Sequence, residues 1–309
     1  MTVDDGRKRQ LRITSFRHFA YLPLFVALGI KAFQVEQLEI SVVEHNGSWS
    51  GLIEAVGGRA SDVMLGNLWF ALQQTRHANA LAPVAHCMQQ CRSVVVRRRV
   101  ETDGPFDWMD LQGSSIIVQS DVPTPWVAFR QSLALHAVSL DMVRVLVGHT
   151  AREAVEDVLS GAVDYVLLDV ERAQHQDLEE VAALADTLGP VPWSVFMART
   201  SDIQSDPERY WRFQRAIGRA LDWMSGNQTG DIAALVRPWF PYADVPTTIK
   251  IIERYRALHA WPIQPQVQID DARRWQDILV RWGLMLAAVP LDGLLTFGGR
   301  FGEPHGGGI

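Results

Sequence analysis

The 309-residue sequence predicts an α/β protein built from two similar units and followed by a helical C-terminal region. Short apolar runs of strand length alternate with segments of helical periodicity over most of the chain, which is the pattern of a mostly parallel sheet covered by helices. The segment 58–67 (GRASDVMLGN) has a counterpart at 160–169 (SGAVDYVLLD), and each carries an aspartate before an apolar run. An internal repeat of this kind indicates two structural units of the same design.

The first unit alternates strands and helices in the order strand 11–16, helix 22–33, strand 38–45, helix 46–58, strand 62–67 and helix 68–78. Pro23 lies in the first turn of its helix, where a missing N–H group costs no hydrogen bond. Two glycines end the helix at 46–58, as is typical of a helix C-terminus. The segment 81–99 adds two strand-like runs that end in the three arginines at 97–99, which we interpret as a solvated crossover.

The second unit repeats this order as strand 115–120, helix 121–137, strand 142–149, helix 150–161 and strand 164–169. Thr150 and Glu153 form a capping-box pattern at the start of one of these helices. The segment 192–200 then leads the chain out of the unit. From residue 206 to 286 the sequence is nearly all helical, with aromatic and aliphatic residues at the spacing of one amphipathic face.

Composition excludes several classes of protein. The chain carries 29 basic and 35 acidic side chains, a formal net charge of −6, which argues against a nucleic-acid partner. Cys87 and Cys91 are the only cysteines, and their spacing gives neither a disulfide framework nor a zinc site, so we predict plain thiols, no metal and no cofactor. No apolar run is long enough for a transmembrane helix. The sequence as written shows no signal peptide and predicts a cytoplasmic protein, or a periplasmic or other extracytoplasmic one if a leader was removed.

Several segments together carry a family resemblance: residues 20–33 (AYLPLFVALGIKAF), 38–67, 211–224 and 261–285. In order and spacing they resemble the substrate-binding proteins of sulfonate, nitrate and taurine ABC importers, which are related to the thiamine-pyrimidine synthases. The resemblance covers residues 11–297. It implies a type II periplasmic-binding-protein fold, in which two doubly wound α/β lobes close on a ligand.

The resemblance also implies a division of the chain and a function. Lobe one would comprise 11–97 and 200–297, lobe two 98–199, and residues 298–309 would form a flexible glycine-rich tail. The ligand would be a small organic anion such as a sulfonate or carboxylate, with an aromatic one suggested by tryptophans near the cleft. The partners would be this anion and, if the protein is exported, an ABC permease, and we expect a monomer.

In α/β sheets, ligands bind outside the carboxyl ends of the parallel strands, near helix N-termini that attract anions. The residues expected at these positions are His18, Phe19, Tyr21, Ser48, Trp49, Gly66, Asn67, Ser120, Thr124, Trp126 and Asp169. Most of them also have a structural interpretation: tryptophan packing, a helix cap at Ser48 or Asp169, and a tight turn at Gly66. His18 is the sharpest candidate, because it lies in the loop between a buried strand and its helix, and its alternative interpretation is a structural or surface histidine.

A second interpretation is a lyase of the same fold that acts on an aromatic acid without a cofactor, like a desulfinase or decarboxylase. The related biphenyl-sulfinate desulfinases place a nucleophilic cysteine after the first strand, where this chain has His18. An imidazole there could act as a general acid or base. Thiamine-pyrimidine synthases carry a lysine and a histidine where this chain has Gly66 and Phe70, which argues against that activity. No catalytic residue is assigned, and the choice between binding and catalysis stays open at this point.

Overall fold

The computed structural model describes residues 9–44, 49–75, 80–99, 104–118 and 123–295, which form two five-stranded sheets covered by helices. The strands are β1 Arg9–Ser15, β2 Leu38–Glu44, β3 Val63–Gly66, β4 Leu81–Met88, β5 Ser93–Arg98, β6 Ser115–Val118, β7 Arg144–Leu146, β8 Tyr165–Asp169, β9 Leu178–Ala183 and β10 Ser194–Arg199. The α-helices are α1 Leu22–Gly29, α2 Ala32–Val35, α3 Trp49–Gly57, α4 Leu68–Gln74, α5 Pro123–Leu135, α6 Ala151–Ser160, α7 Leu184–Leu188, α8 Thr200–Ser205, α9 Pro207–Gly226, α10 Thr229–Val236, α11 Val245–Ala257, α12 Ile269–Arg281 and α13 Asp292–Leu295. Short 3₁₀ turns occupy Phe19–Tyr21, Trp108–Leu111, Leu140–Met142 and Arg237–Trp239.

The two sheets have the same topology. Their strand orders are β2-β1-β3-β10-β4 and β7-β6-β8-β5-β9. In the first sheet β1 pairs in parallel with β2 and β3, and in the second β6 pairs in parallel with β7 and β8. The fourth strand of each sheet, β10 or β5, runs antiparallel to both of its neighbours. The predicted fold of two similar α/β units is confirmed, and we call the unit around the first sheet lobe one and the other lobe two.

The chain passes between the lobes at two places, both earlier than the sequence suggests. It leaves the first sheet after Met88 and enters the second at Ser93, and it returns between Ala183 and Ser194. The boundaries predicted after residues 97 and 199 therefore fall at the far ends of β5 and β10. Strand propensity marks where a strand lies but not which sheet it joins, so both strands were assigned to the unit that precedes them.

The arginines at 97–99 are not the crossover between the lobes, so that part of the interpretation is wrong, although Arg98 and Arg99 are exposed to solvent as expected. Arg97 Nε donates to Glu179 at 2.9 Å, and Arg99 Nη2 donates to the Leu178 carbonyl at 3.0 Å. Both contacts join the end of β5 to the start of β9 within lobe two. The predicted tail at 298–309 lies outside the described residues.

The C-terminal helices mostly pack on lobe one, as expected for residues 200–297. The long helix α9 lies against α1, α2 and β4, while α11 follows α10 and reaches the 3₁₀ turn Phe19–Tyr21. One helix differs, because α12 contacts both α4 of lobe one and α5 of lobe two. Among the described residues, none of the helices combines the length and the apolar character needed to span a bilayer.

The sequence repeat has a structural cause at the N-terminal edge of each sheet. Asp62 precedes β3, and its carboxylate accepts the backbone N–H of Arg12 in β1 at 2.9 Å and the Arg12 Nε at 3.2 Å. Asp164 precedes β8, and its carboxylate accepts the backbone N–H and the hydroxyl of Ser115 in β6, both at 2.7 Å. Each aspartate thus fixes its strand against the neighbouring one.

Asp62 is more buried than Asp164, so its hydrogen bonds should contribute more to stability. We expect Asp62→Ala to lower the free energy of unfolding by about 2–3 kcal/mol, because hydrogen bonds to a charged group in this setting are worth about 1.5–3 kcal/mol. The matched variant Asp164→Ala, at the equivalent but exposed position, should lose only about 1 kcal/mol. Urea unfolding of both variants measures the difference, and equal losses would contradict this account.

The contribution of Asp62 should also depend on pH. Burial alone would raise the pKa of Asp62, but hydrogen bonds from Arg12 and the positive charge of Arg209 outweigh burial and lower it. Because the folded-state pKa is depressed, this stability is complete above the ordinary aspartate pKa of about 4 and is lost as the pH falls below it. The difference in free energy of unfolding between the wild type and Asp62→Ala should therefore decrease as the pH falls below about 4. Urea unfolding at a series of pH values measures it.

Candidate ligand site between the two lobes

The carboxyl ends of β1 and β8 meet across the interface between the lobes, and His18 lies at the meeting point. His18 caps the 3₁₀ turn that follows β1. Its Nε2 is 3.5 Å from Asp169 Oδ2 at the end of β8, and its Nδ1 contacts the carboxylate of Glu171. All three side chains are largely buried, with 13–17% of each exposed. Two carboxylates of lobe two thus bind one imidazole of lobe one.

The backbone beside His18 also contacts lobe two. The Ala20 N–H lies 3.1 Å from His18 Nδ1 and 3.3 Å from Glu171 Oε1. A ring nitrogen is a donor only when it carries a proton. When Nδ1 carries the proton, it donates to the Glu171 carboxylate, and the Ala20 N–H then donates to the same carboxylate and not to the ring. In that tautomer the corner His18–Ala20 holds one carboxylate with two donors.

Asp169 is fixed from its other side by a buried arginine. Arg92, in the passage between β4 and β5, donates from Nε to Asp169 Oδ1 at 3.1 Å. Burial alone would raise the pKa of Asp169, but the charge of Arg92 and the hydrogen bond from His18 outweigh it and hold this pKa well below its usual range. Asp169 is therefore ionised at every physiological pH, and it connects the passage, lobe two and His18.

Tyrosines surround this charged group. The Tyr21 ring lies 5.7 Å from the His18 ring, and its hydroxyl is hydrogen-bonded to Ser194. Burial raises the pKa of Tyr21, and it raises that of Tyr255 much further. The pKa of Tyr242 is raised to about 12, first by burial and then by the charge of Glu171. These phenols keep their protons at neutral pH and remain hydrogen-bond donors.

Several arginines lie near the carboxylates at the interface. Arg92 and Arg172 both act on Asp169, and Arg17 acts on the nearby Tyr242. Their positive charges partly offset the negative charges of Asp169 and Glu171.

Phe19 is buried, and it anchors the corner rather than facing a ligand. Its ring stacks on Phe240 at 4.1 Å and meets Tyr242 edge-on at 6.3 Å. Trp261 adds a hydrogen bond from its indole N–H to the Ala20 carbonyl at 3.0 Å. The turn that presents His18 is therefore held by the C-terminal helical region.

Asn67 and Gly66, predicted at the matching strand end of lobe one, are engaged in contacts of their own. Asn67 caps α4 by accepting the Trp69 N–H at 3.0 Å, accepts the Trp275 indole at 3.2 Å and donates to the Trp193 carbonyl at 2.8 Å. A Cβ on Gly66 would lie 3.2–3.4 Å from side-chain atoms of Met64, Phe70 and Met197, so a larger residue there would have to shift these neighbours. The structure does not bring this pair into contact with His18.

The remaining predicted residues lie at the starts of two helices. Thr124 is buried in the first turn of α5, and Trp126 is half-buried two positions further on the same helix. Trp126 lies beside Arg130, whose guanidinium carbon is 5.7 Å from its ring centre. Ser48 and Ser120 lie outside the described residues, and Trp49 is described only as the first backbone position of α3. A ligand contact at these positions stays a prediction.

Sequence reasoning missed three members of the cluster: Arg92, Glu171 and Tyr255. Glu171 could have been found, because it follows Asp169 by two residues at the end of the same strand. Arg92 was overlooked because the passage between the lobes was placed after residue 97, which left Arg92 inside the first unit and not at a passage between the lobes. Tyr255 lies in the C-terminal helical region, and no local pattern indicates that α11 returns to the first corner.

Two further contacts join the lobes. Arg254 of α11 donates from Nε to both carboxylate oxygens of Glu180 in β9, at 2.9 and 3.1 Å. On the other side, the Trp282 indole donates to Gln131 Oε1 of α5 at 2.8 Å, and the Arg130 guanidinium lies 4.4 Å from the Trp282 ring centre. The lobes are therefore held together on both sides of the His18 corner.

The thiols lie in the protein interior. Cys87 and Cys91 are fully buried and not bonded to each other, and burial raises both pKa values, that of Cys91 to about 12. Neighbouring His86 is also buried, which lowers its pKa to about 4. A protonated, buried thiol is a poor nucleophile. Within the described segments, no three His, Cys, Asp or Glu side chains converge as a metal site requires.

Known proteins with similar sequences and structures were found for this chain. No protein-family profile matches the chain. A putative binding protein, YtlA, from Bacillus subtilis is 24% identical over 290 residues, which span 89% of this chain and 84% of YtlA. The periplasmic aliphatic sulphonate binding protein SsuA from Escherichia coli has a similar structure, with a TM-score of 0.73 and 15% identity over 93% of this chain and 97% of SsuA. The periplasmic nitrate-binding protein NrtA from Synechocystis PCC 6803 gives a TM-score of 0.69 and 13% identity over 94% of this chain and 86% of NrtA.

The chain has the periplasmic-binding-protein fold. The resemblance to substrate-binding proteins of the sulfonate and nitrate importers is confirmed by these structures and by the relative in Bacillus subtilis. In this fold the interface that carries His18, Asp169 and Glu171 is the cleft between the lobes.

The bridge between Arg254 and Glu180 should help to keep this cleft closed. Glu180→Gln removes the charge from a partly buried pair that joins the lobes, which should weaken closure by about 1 kcal/mol. We expect a larger radius of gyration of the unliganded protein in small-angle X-ray scattering. Glu156→Gln, which disrupts an exposed pair with Arg152 inside α6, is the matched control and should leave the radius unchanged.

The double variant Glu180→Arg with Arg254→Glu should return the radius of gyration to that of the wild type, because it restores opposite charges. A Glu180→Gln protein that scatters like the wild type at low ionic strength would show that the bridge does not contribute to closure.

Proposed function

We propose that the chain is a substrate-binding protein of the ABC-importer type, and that it binds a small organic anion, a sulfonate or a carboxylate, between its lobes. The observation that carries this proposal is the corner His18–Ala20, which already holds a carboxylate, that of Glu171. A corner that binds one oxyanion has the donors to bind another. When the lobes separate, Glu171 withdraws with lobe two and a ligand anion can take its place.

The charges near the corner support an anionic ligand. Arg92 and Arg172 act on Asp169, and Arg17 acts on Tyr242, so positive charge lies close to the corner and favours an anion there. Asp169 does not compete for the ligand site, because Arg92 holds one of its oxygens at 3.1 Å. Its remaining oxygen faces His18 and keeps the ring oriented.

The nature of the relatives supports the class of function. SsuA and NrtA bind sulphonate and nitrate, and both are periplasmic. We propose by analogy that this chain acts outside the cytoplasmic membrane as a monomer and delivers its ligand to an ABC permease. The half-buried Trp126 at the start of α5 favours a ligand with an apolar or aromatic part.

Calorimetric titration with aliphatic and aromatic sulfonates and carboxylates tests the proposal. For each ligand that binds, His18→Ala should weaken binding by about 1.5–3 kcal/mol, the value of a hydrogen bond to a charged group. His18→Asn retains a side chain that can cap the 3₁₀ turn, and it separates the loss of the cap from the loss of the ligand contact. Binding of none of these anions by the wild type would overturn the proposal.

The same titrations distinguish binding from lyase activity. Each ligand is recovered after long incubation, and its products are analysed. A binding protein returns the ligand unchanged, whereas a desulfinase or decarboxylase releases sulfite or carbon dioxide. Release that falls by about 100-fold in His18→Ala would identify His18 as an acid or base and replace the proposal with the lyase function.

A further inference from the structure

Tyr255 is a fully buried tyrosine whose hydroxyl has no hydrogen-bond partner among the described residues. Leaving a hydroxyl buried and unpaired costs about 1–3 kcal/mol, so such groups are rare without a functional reason. The tyrosine nearest to it in the cluster is different, because the Tyr21 hydroxyl is bonded to Ser194. The unpaired hydroxyl of Tyr255 therefore indicates a hydrogen-bond partner from outside the described residues.

The position of Tyr255 places this hydroxyl at the ligand corner. Its ring is 5.6 Å from that of Trp261, and the Trp261 indole donates to the Ala20 carbonyl at 3.0 Å. Helix α11, which carries Tyr255, packs against the 3₁₀ turn that His18 caps. The charges of Glu171, Asp169 and Arg92 all act on the Tyr255 hydroxyl. Tyr255 thus belongs to lobe one and lies within electrostatic range of the carboxylates of lobe two.

Separation of the lobes would uncover the hydroxyl. Asp169 and Glu171 follow β8 and move with lobe two, whereas Tyr255 and His18 stay together on lobe one. The space that Glu171 leaves at the His18 corner therefore adjoins the Tyr255 hydroxyl. A ligand oxygen that enters this space meets donors from the corner on one side and the phenol on the other.

The protonation state of the phenol determines which kind of ligand atom it can bind. Burial and the neighbouring negative charges keep the Tyr255 phenol protonated, since they raise its pKa well above the usual value. A protonated phenol beside two carboxylates is a donor that adds no positive charge. It suits the oxygen of an oxyanion that has already been neutralised in part by arginine and imidazole.

We propose that the Tyr255 hydroxyl donates a hydrogen bond to a sulfonate or carboxylate oxygen of the bound ligand, and so determines affinity for oxyanions together with His18. This inference rests on the proposed function and adds to it a binding residue from the C-terminal helical region. It assigns α11 a part in recognition, in addition to its part in closure through Arg254.

Tyr255→Phe removes the hydroxyl and keeps the ring, and it is the variant that tests the inference. Titration with the sulfonates and carboxylates that bind the wild type should show affinity reduced about tenfold, the usual effect of one hydrogen bond. Tyr210→Phe is the matched control: Tyr210 is also fully buried, but it lies in α9 among Arg199, Asp62 and Asp202, away from the cleft. Its affinity should equal that of the wild type.

Unfolding of the ligand-free proteins completes the test. Tyr255→Phe should be at least as stable as the wild type, because it removes an unpaired buried hydroxyl. Unchanged affinity in Tyr255→Phe would overturn this inference and leave the proposed function intact. Reduced ligand-free stability would also overturn it, because the hydroxyl would then have a structural partner. If the wild type binds none of the anions, the proposed function fails and the inference fails with it.

Discussion

The ion pair between Arg92 and Asp169 is the contact on which the arrangement of the cleft depends. Arg92 lies in the passage between the lobes, and Asp169 ends the central strand β8 of lobe two. A buried charge is tolerated only when it is paired and hydrogen-bonded, so each residue requires the other. Asp169 then orients His18 with its second oxygen. One carboxylate therefore connects the passage, the end of a strand and the first corner of the opposite lobe.

The contact between Glu171 and the His18 corner makes closure possible without a ligand. A ligand must therefore do more than fit the cleft, since it has to replace contacts that the chain already makes with itself. The apparent affinity is reduced by the fraction of molecules in which the corner is covered. In the proposed function, Glu171 sets a threshold that favours anions with strong acceptor oxygens over weakly bound ones.

The sequence was sufficient to predict the fold, because alternating periodicities and the repeat around Asp62 and Asp164 are local signals. It also placed His18 and Asp169 at strand ends, where α/β proteins bind ligands, and the structure brings the two into contact, while their contact with a ligand stays a prediction. It could not show which sheet β5 and β10 join, because pairing depends on distant partners. For the same reason it missed Arg92 and Tyr255, whose roles arise only when the passage and α11 are brought to the first corner.

Asn67 makes contacts that the sequence did not predict, and its contact with a ligand stays a prediction. By analogy with Asp169 it was expected to face the ligand, since the two residues occupy equivalent places in the repeat. In the structure its polar atoms bind Trp69, Trp275 and Trp193. An amide that caps a helix and also joins two tryptophans supports lobe one. The two halves of the repeat share their architecture, but their strand ends have diverged in the contacts that they make.

The two passages between the lobes run side by side, and this arrangement constrains motion. Met88 and Ser194, where the chain leaves and re-enters the first sheet, are paired in register on β4 and β10. A hydrogen bond of 2.9 Å from the Val191 N–H to the Gln89 carbonyl joins the passages themselves. Two strands tied in this way form a ribbon, which bends easily across its face but resists shear and stretching. The lobes should therefore rotate about a single hinge axis that runs through the two passages, with Arg92 at the hinge.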